Sequence, residues 1–496
     1  MSSLTQLLSD HNIKKSARLA AYRQAVKSGT QSRSPQIEKD LTTRAVRTLS
    51  GVTPFAVMTK PFVCPGQCTF CPLELGMPKS YLSDEPAAAR AKSLNFDPAK
   101  QIESRLTQLV ETGHNTDKIE LIVIGGTFSN YPASYKRQFF LDMINTINGS
   151  VSPNLEAAQL ANETAERRIV GISIETRPDW VDETEVKLLR KLGVTKVQLG
   201  VQALDETILK RINRGHSLES VAKATRLLKD AGIKICYHFM PNLPGSNPGK
   251  DLAMAFLMYE DPRFKPDFLK IYPVQVIPGT ALYREWEKGE YVPYSEELLR
   301  DTLLSIKLIT PRYCRIDRLV RDISKKWVAA GTKATNMRQY LQAELKVQGK
   351  VCQCIRCREV KAADFTLDPD LNDEVIETLG ATEHLLTFEK ADRLFSLLRL
   401  RLPTVSSALF SELKGCAIIR ELHTYGKTVA HTAKTSSKTQ HRGLGKKLMA
   451  QAEQIARQAG YAKIAVISSI GTRDYYRQLG YERLGYYMVK NISSLH

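Results

Sequence analysis

The chain has 496 residues, 43% of them hydrophobic and 25% charged, and its formal net charge is +19. This composition is ordinary for a globular protein with room for two or three domains. It excludes a low-complexity chain, and no run approaches the 18 apolar residues of a transmembrane helix. The excess of Lys and Arg suits a polyanion such as nucleic acid, although solubility alone would also explain it.

Residues 1–50 are rich in basic side chains, and "NIKKSARLAAYRQAVKSG" (12–29) predicts a short helix with a cationic face. This arm is either a nucleic-acid-contacting segment or a solvated tail. The first residues lack the apolar segment of a signal peptide. We therefore expect a cytoplasmic protein, in which clustered cysteines are ligands more often than disulfides.

Residues 51–310 alternate short apolar runs with helical stretches. The runs are "PFAVMT" (54–59), "IELIVIG" (119–125), "IVGISI" (169–174), "KVQLGV" (196–201), "IKICYHFM" (233–240) and "FLKIYPVQVI" (268–277). Six strand–helix alternations predict a parallel sheet, either a partial barrel or an open doubly wound sheet. In both, ligands bind at the carboxyl ends of the strands.

Three cysteines directly follow the first run, in "KPFVCPGQCTFCPLE" (60–74). The thiolates of Cys64, Cys68 and Cys71 suit zinc or an iron–sulfur cluster. A cubane cluster with three protein ligands leaves one iron open. The Cys-x3-Cys-x2-Cys spacing resembles the radical SAM superfamily, which implies a 4Fe-4S cluster whose open iron binds S-adenosylmethionine (SAM).

Glycines and polar residues stand at the ends of the later runs, where that fold binds SAM. The candidates are Gly125, Gly126, Thr127, Ser173, Glu175, Arg177 and Gln202. Glycine backbone can approach the methionine amino group closely, and the polar side chains offer contacts to the ribose and the carboxylate. Lys270, in the sixth run, is a catalytic candidate, and Lys118 is a candidate contact. Each lysine could also be a surface residue.

From about residue 361 a second unit begins, with mixed strands and one strongly amphipathic helix in "GLGKKLMAQAEQIARQAG" (443–460). The segment "QHRGLGKK" (440–447) supplies free N–H groups and cations at the start of this helix, which suit a pyrophosphate. Its Q-x-x-G-x-G pattern resembles the coenzyme A loop of the GCN5-related N-acetyltransferases. The preceding strand "AIIRELHT" (417–424) could pair its backbone with the pantetheine arm.

Two tyrosines in "GTRDYYRQLGYE" (471–482) stand where that fold places a phenol near the thioester sulfur. Such a phenol can protonate a leaving thiolate. Tyr475 and Tyr476 are therefore catalytic candidates, and we expect one of the two to be a packing residue.

The two units together resemble the catalytic subunit of Elongator in its single-chain bacterial or archaeal form, from about residue 45 to 490. Long stretches carry this resemblance, among them "DKIELIVIGGTF", "IRELHTYG" and "ISSIGTRDYYRQLGYERLGYYMVK". It implies formation of 5-carboxymethyluridine at the wobble position of tRNA, from acetyl-CoA through a SAM-derived radical, with the anticodon stem-loop as partner. The acetyl-CoA site would be lined by Glu421, Leu422, His423, Thr424, Gln440, Arg442, Gly443, Leu444, Gly445, Lys446 and Tyr476.

A second cysteine group lies in "VCQCIRCREV" (351–360), within a predicted linker at 311–360. Cys352, Cys354 and Cys357, with Cys314 as a fourth ligand, would form a closed structural zinc site. A histidine in place of Cys314, or free thiols without metal, remain alternatives.

We therefore expect an α/β protein: an arm (1–50), a partial (βα)6 radical SAM barrel (51–310), the linker (311–360) and an α/β acetyltransferase domain (361–496). The alternatives are a protein lysine acetyltransferase with a vestigial radical domain, and a tRNA-binding module without chemistry. The charge of +19 disfavours the first, because basic substrates would be repelled; the intact cysteine ligands disfavour the second. We expect no membrane contact and no obligatory protein partner, and a homodimer remains open.

Overall fold

The computed structural model describes residues 3–43, 51–360, 367–404, 409–425 and 443–493. Three helices come first: α1 (Ser3–Ser9), α2 (Lys15–Lys27) and α3 (Pro35–Leu41). Leu19, Tyr22 and Leu41 are buried between them. Helix α2 confirms the helix predicted in the basic arm. It is tied to the barrel, since Arg23 Nη1 donates to the Val110 carbonyl oxygen at 2.6 Å.

Seven parallel strands form the first sheet, paired in the order in which they occur along the chain. They are β1 (Thr53–Met58), β2 (Lys118–Ile124), β3 (Arg168–Thr176), β4 (Lys196–Gln202), β5 (Lys234–Phe239), β6 (Phe268–Ile271) and β7 (Arg315–Leu319). The first six confirm the predicted runs. Strand β7 lies within 311–360, the segment predicted as a linker, and it extends the sheet through its pairing with β6.

Sequential order identifies a partial barrel, because a doubly wound sheet reverses its strand order at a switch point. Helices alternate with the strands and follow the last one, and those whose apolar residues pack in the core cover the outer face of the barrel. They are α4 (Pro86–Ser93), α5 (Pro98–Glu111), α6 (Ala133–Asn148), α7 (Leu155–Asn162), α8 (Glu183–Lys191), α9 (Glu206–Arg211), α10 (Leu218–Asp230), α11 (Pro248–Glu260), α12 (Ala281–Glu287), α13 (Glu296–Ile309), α14 (Met337–Val347) and α15 (Ile355–Arg358).

Alternation along the strands separates the helix-packed face from the lumen. On β3, Ile172 and Ile174 belong to the apolar core, whereas Gly171 and Glu175 line the internal cavity. The barrel therefore has apolar outer layers and a polar interior, which is where ligands can be held.

The second sheet is mixed, with the strand order β13-β14-β12-β11-β10-β9-β8. Its elements are β8 (Asp370–Thr378), β9 (Ala381–Lys390), β10 (Arg393–Pro403), β11 (Cys416–Thr424), α16 (Leu444–Gln458), β12 (Lys463–Val466), α17 (Arg473–Arg477), β13 (Glu482–Leu484) and β14 (Tyr487–Asn491). Helix α16 confirms the amphipathic helix. Strands β11 and β12 pair only from Cys416–Lys463 to Ile419–Val466, so they separate beyond Ile419.

The second sheet is docked on the amino-terminal end of the barrel. The fully buried Arg420 donates to Asp267, which precedes β6, at 2.9 and 2.6 Å, and to Glu383 of β9 at 2.9 Å. A Cβ at Gly471 would lie 2.5 Å from the Arg168 Cβ, so the backbones meet there without room for a side chain. Among the described residues, no helix has the length and apolarity to cross a membrane.

Candidate active site in the barrel lumen

A cavity of about 1150 Å³ occupies the barrel interior. At the carboxyl end of the strands its wall includes Cys64, Cys68 and Cys71. At the opposite end it includes Glu421 and His423 of β11. The two sets of residues that the sequence indicated separately therefore border one internal space.

The cysteine loop holds its three thiols partly buried at the mouth of this cavity. Arg214 Nη1 donates to Cys68 Sγ at 3.4 Å, and Cys64 Sγ lies 3.7 Å from Thr127 Oγ1. Burial, with Cys68 nearby, raises the pKa of the Cys71 thiol to about 12. The three Sγ atoms, all in the described part of the chain, do not come together as one compact group within 4.8 Å. That spread suits a cluster whose irons each take one thiolate better than a single ion.

The Arg177 guanidinium supplies a direct test of whether an anionic group fits beside this loop. Its Nε and Nη2 donate to Asp179 at 2.9 and 2.8 Å. Its Nη1 is buried and has no hydrogen-bond partner in the structure. A Cβ at Gly66 would lie only 2.2 Å from Nη1, so this nitrogen lies against the cysteine loop. A buried N–H group without an acceptor is costly unless a ligand completes it, and a carboxylate or an anionic cluster would do so.

Backbone geometry at the strand ends matches the sequence expectation. Gly125 and Gly126 have φ of +137° and +94°, and a Cβ at Gly125 would lie 2.0 Å from Thr59 Oγ1, so glycine is required there. Gln202 adopts φ +70° and buries an Oε1 that has no partner in the structure. Strained backbone of this kind costs about 1–3 kcal/mol and clusters at functional sites.

Glu175 and Lys270 form a buried ion pair in the cavity wall, 3.5 Å apart. Tyr81 Oη donates to the second carboxylate oxygen of Glu175 at 2.6 Å. Burial favours the neutral acid, but Lys270, His238 and Tyr81 outweigh it and lower the pKa of Glu175. Burial works against the Lys270 charge too, yet Tyr272 and Glu175 raise its pKa to about 12. The pair therefore presents fixed charges rather than a titrating base.

Two other candidates lie elsewhere. Ser173 is fully buried in the wall and accepts a hydrogen bond from Gln198 Nε2 at 2.7 Å. Lys118 begins β2 at the amino-terminal end, opposite Arg168, and does not line the cavity. The structure thus does not bring Lys118 to the cysteine loop.

The predicted acetyl-CoA residues gather around the start of α16. Gly443 precedes the helix with φ +69°. A Cβ at Gly445 would lie 3.1 Å from Tyr475 Oη, 3.7 Å from Thr424 Oγ1 and 3.9 Å from Leu422 Cδ2. The missing side chain leaves the helix N–H groups open to an anion. Lys446 is exposed beside them, and Leu444 packs in the core. Gln440 and Arg442 lie outside the described residues.

The two tyrosines have different surroundings. Tyr475 Oη borders the open helix start, and burial raises its pKa. Tyr476 packs edge-on against Tyr475 and Tyr481, with ring centroids 5.2 and 6.1 Å away, and belongs to the core. Of the two phenols, the Tyr475 hydroxyl is therefore the one placed to act on a ligand.

Strand β11 divides the acetyl-CoA candidates between two faces. Leu422 and Thr424 face the start of α16, whereas Glu421 and His423 border the barrel cavity. Burial opposes the Glu421 charge, but Lys234 and Arg399 lower its pKa. Burial lowers the pKa of His423 to about 4, so its imidazole is neutral at pH 7.

The second cysteine group is compact. The sulfur atoms of Cys352, Cys354 and Cys357 lie within 4.8 Å of one another, and the buried Lys307 Nζ lies 3.8 Å from Cys357 Sγ. Cys314 is buried nearby and its carbonyl oxygen accepts from the Ile355 amide, but its sulfur is not in the group. Three sulfur atoms this close together can serve as ligands of a soft metal ion such as zinc.

Three further residues of the site were not predicted from the sequence: Tyr81, Arg214 and His238. His238 stands on β5 and borders the cavity, and the only signal for it was its place near a strand end. Burial and the Lys270 charge lower its pKa to about 3. Tyr81 and Arg214 come from loops, where periodicity gives no direction for a side chain.

Comparisons with known proteins agree with this architecture. Residues 59–257 match the radical SAM superfamily, 266–347 match the radical SAM C-terminal domain and 418–495 match the acetyltransferase (GNAT) domain. The tRNA uridine(34) acetyltransferase of Dehalococcoides mccartyi is 43% identical over 90% of this chain and 99% of its own length. Elongator complex protein 3 of Danio rerio is 38% identical over 91% of this chain and 86% of its own. The solved structure of Methanocaldococcus infernus Elp3 with an N-terminal deletion matches at a TM-score of 0.79 and 39% identity, covering 90% of this chain and 100% of that one.

Proposed function

The chain belongs to the family that includes the tRNA uridine(34) acetyltransferases and Elongator complex protein 3, and from this premise we propose that it modifies uridine 34 of tRNA. The proposed product is 5-carboxymethyluridine, with acetyl-CoA as the carbon source. The observation that carries the proposal is the common cavity, which has the three thiols at one end and residues of β11 at the other.

Cys64, Cys68 and Cys71 would hold a 4Fe-4S cluster, with SAM beside it. When bound, these groups supply a 5′-deoxyadenosyl radical that abstracts a hydrogen atom from carbon. Gly125 and Gly126 leave room for SAM next to the second strand. Arg177 Nη1 would donate to an anionic group there, and Glu175 is positioned to accept from hydroxyl groups of a ribose.

The start of α16 would bind the pyrophosphate of acetyl-CoA through backbone N–H groups exposed beside Gly445. Beyond Ile419, the β12-facing edge of β11 has no strand partner among the described residues, so it can pair with the amides of the pantetheine arm. Once the new carbon–carbon bond has formed, water would attack the thioester carbonyl carbon and break the carbon–sulfur bond. Tyr475 would donate its phenolic proton to the departing coenzyme A thiolate and regain a proton from the attacking water.

The Cys352, Cys354 and Cys357 thiolates would hold zinc in a structural role. This site would hold α15 against α13, because Lys307 of α13 contacts Cys357 of α15. Such a site adds to stability, since the unfolded chain does not hold the metal in place.

The deciding experiment incubates reduced, iron-loaded protein with SAM, acetyl-CoA and tRNA, and analyses the nucleosides by mass spectrometry. We expect a carboxymethyl group on uridine 34 that carries label from [13C2-acetyl]-CoA. Modified lysines on added protein with unmodified uridine would instead indicate a protein acetyltransferase, and would refute the proposal.

Cysteine variants sharpen this test. Cys68→Ser should abolish the product while tRNA affinity stays close to that of the parent protein. Cys416→Ser is the matched control, because Cys416 Sγ donates to backbone carbonyl oxygens, of Glu412 at 3.4 Å and of Lys414 at 4.0 Å, and a serine hydroxyl can do the same.

A further inference from the structure

The two ends of the barrel lumen are too far apart for ligands bound at each end to touch. Strand β4 runs from Lys196 at the base to Gln202 at the mouth, seven residues. At about 3.3 Å per residue this separation is about 20 Å. Chemistry that joins an acyl group at β11 to the cysteine loop therefore needs a ligand that crosses the lumen.

The base of the lumen faces the split in the second sheet, which is the gap between β11 and β12 beyond Ile419. Glu421 and His423 line the lumen from β11, which lacks a β12 partner at these positions. A chain-like ligand lying in the split therefore has the helix start on one side and the lumen on the other. Lys234 of β5, at the barrel base, lies 3.8 Å from Glu421 across this boundary.

Four charged side chains at the base of the lumen form two ion pairs. Glu120 and Lys196 lie 3.0 Å apart, and Arg315 and Asp317 lie 2.9 Å apart. Paired charges offer hydrogen bonds without a strong net field, so they suit an uncharged arm with amide and carbonyl groups. A pyrophosphate instead suits the start of α16 outside the lumen, where the backbone N–H groups beside Gly445 are open.

One position at the base has no side chain. The surrounding lining residues are Glu120, Lys196, Lys234, Phe268 and Arg315, and among them stands Gly171 of β3. A Cβ at Gly171 would lie 3.3 Å from Glu120 Cγ and would extend into the lumen. The glycine thus keeps open a gap that a larger residue would fill.

We propose that the acyl end of acyl-CoA enters the barrel through its base, past Glu421, His423 and Gly171, and reaches the cysteine loop inside the lumen. The coenzyme A head group stays at the start of α16. This inference rests on the proposed function, since an enzyme that attaches an acyl carbon by radical chemistry must bring both sites together. It adds the path and the residues that form it.

The first test introduces a thiol at the gap and does not depend on turnover. Gly171→Cys holoprotein is treated with bromoacetyl-CoA, and alkylation is mapped by mass spectrometry. The thiolate sulfur would attack the bromomethyl carbon, form the thioether and release bromide. We expect labelling of residue 171 that excess acetyl-CoA suppresses. Val151→Cys, at an exposed position on the barrel surface, is the control and should show no such protection. No labelling at 171, or labelling that acetyl-CoA leaves unchanged, would overturn the proposal.

The second test narrows the lumen. Gly171→Leu should lower the uridine product about a hundredfold, because a reacting group held short of its target loses that order of rate. SAM cleavage to 5′-deoxyadenosine and acetyl-CoA affinity should persist, and Gly171→Ala should keep most of the activity. A Gly171→Leu protein with parental iron content and parental product yield would refute the path. If the parent protein itself makes no modified uridine, the proposed function fails, while the labelling test still decides whether the acyl arm enters the lumen.

Discussion

Replacing Arg420 with methionine would remove the central cation between the barrel and the second sheet. The guanidinium makes two hydrogen bonds to Asp267, one to Glu383 and one to the Ile233 carbonyl oxygen at 3.0 Å. Methionine keeps the apolar stem but leaves two buried carboxylates short of a partner. Loss of one member of a buried ion pair costs about 3–5 kcal/mol.

Neighbouring cations set the magnitude within that range. Arg401 still donates to Glu383 at 2.9 Å, and Arg399 lies 3.7 Å from Asp267. Because neither carboxylate is left without a cation, we expect the lower end, about 3 kcal/mol less free energy of unfolding. The midpoint of thermal unfolding should fall by about 6–12 °C, at about 2–4 °C per kcal/mol.

Chemical and thermal unfolding of the full chain measure this loss, with Arg263→Met as the matched control. Arg263 pairs with Asp261 at 2.7 Å on the surface, so its loss should cost no more than about 1 kcal/mol. Adding Asp267→Asn to Arg420→Met should recover part of the stability, because the uncompensated charge is then gone. Equal, small effects of Arg420→Met and Arg263→Met would refute the reasoning.

Low pH should weaken the same ion-pair network by protonating its carboxylates. Burial opposes the Glu383 charge, but Arg420, Lys229 and Arg401 lower its pKa from 4.5 to about 2. A carboxyl whose folded pKa is depressed stabilises the fold above its unfolded pKa and loses that contribution as pH falls through the folded value. The parent protein should therefore lose stability between pH 4.5 and about 2, and Arg420→Met should lose less over that interval.

Three other predictions concern single side chains. Tyr475→Phe should slow coenzyme A release by about a hundredfold in a rapid-quench assay, whereas Tyr476→Phe should mainly lower the stability of the protein. Equal kinetic losses in the two variants would contradict the assignment of Tyr475 as the general acid. The pKa of His423 is lowered from 6.5 to about 4, so the unfolded chain takes up the proton first and the free energy of unfolding should fall as the pH drops through that interval. In urea unfolding at several pH values, His423→Gln should make this fall less steep. An unchanged dependence of the unfolding free energy on pH would contradict the prediction. Cys354→Ser should lower both the zinc content by elemental analysis and the unfolding midpoint, while Cys416→Ser changes neither; zinc retained by Cys354→Ser would exclude the proposed ligand.

The fold was largely predictable because its signals are local and repeated. Six buried strands alternate with amphipathic helices, so the parallel sheet follows from periodicity. Periodicity left the partial barrel and the doubly wound sheet open, and the resemblance to the radical SAM superfamily favoured the barrel. Strand β7 was missed, since "RIDRL" carries three charged residues in five and has no apolar run. Its charges point into a polar lumen, where Arg315 and Asp317 pair with each other.

The site was predictable where backbone geometry demands a residue type. A Cβ at Gly125 would collide with Thr59, one at Gly445 would crowd the helix start, and Gly126 has φ +94°. The cysteines stand on the loop after the first strand. The sequence could not predict which residues of "ELHT" face the cavity and which face the start of α16. It also could not predict which of Tyr475 and Tyr476 borders the helix start. Those distinctions depend on what packs against each face, and that is set by the docking of two domains far apart in sequence.

Docking of the two sheets gives the Arg420 network a consequence for activity as well as for stability. The same interface that buries Asp267 and Glu383 aligns the open edge of β11 with the lumen base beside Lys234. A loosened interface would leave the helix start and the cysteine loop intact, each on its own domain, but would displace the passage between them. Arg420→Met should therefore lower product formation by more than its effects on acetyl-CoA affinity and SAM cleavage account for. A variant that damages only one site should instead lower the partial reaction at that site by the same factor as it lowers product formation. Such a split between intact half-reactions and a lost overall reaction is expected only if the two sites communicate through the interface.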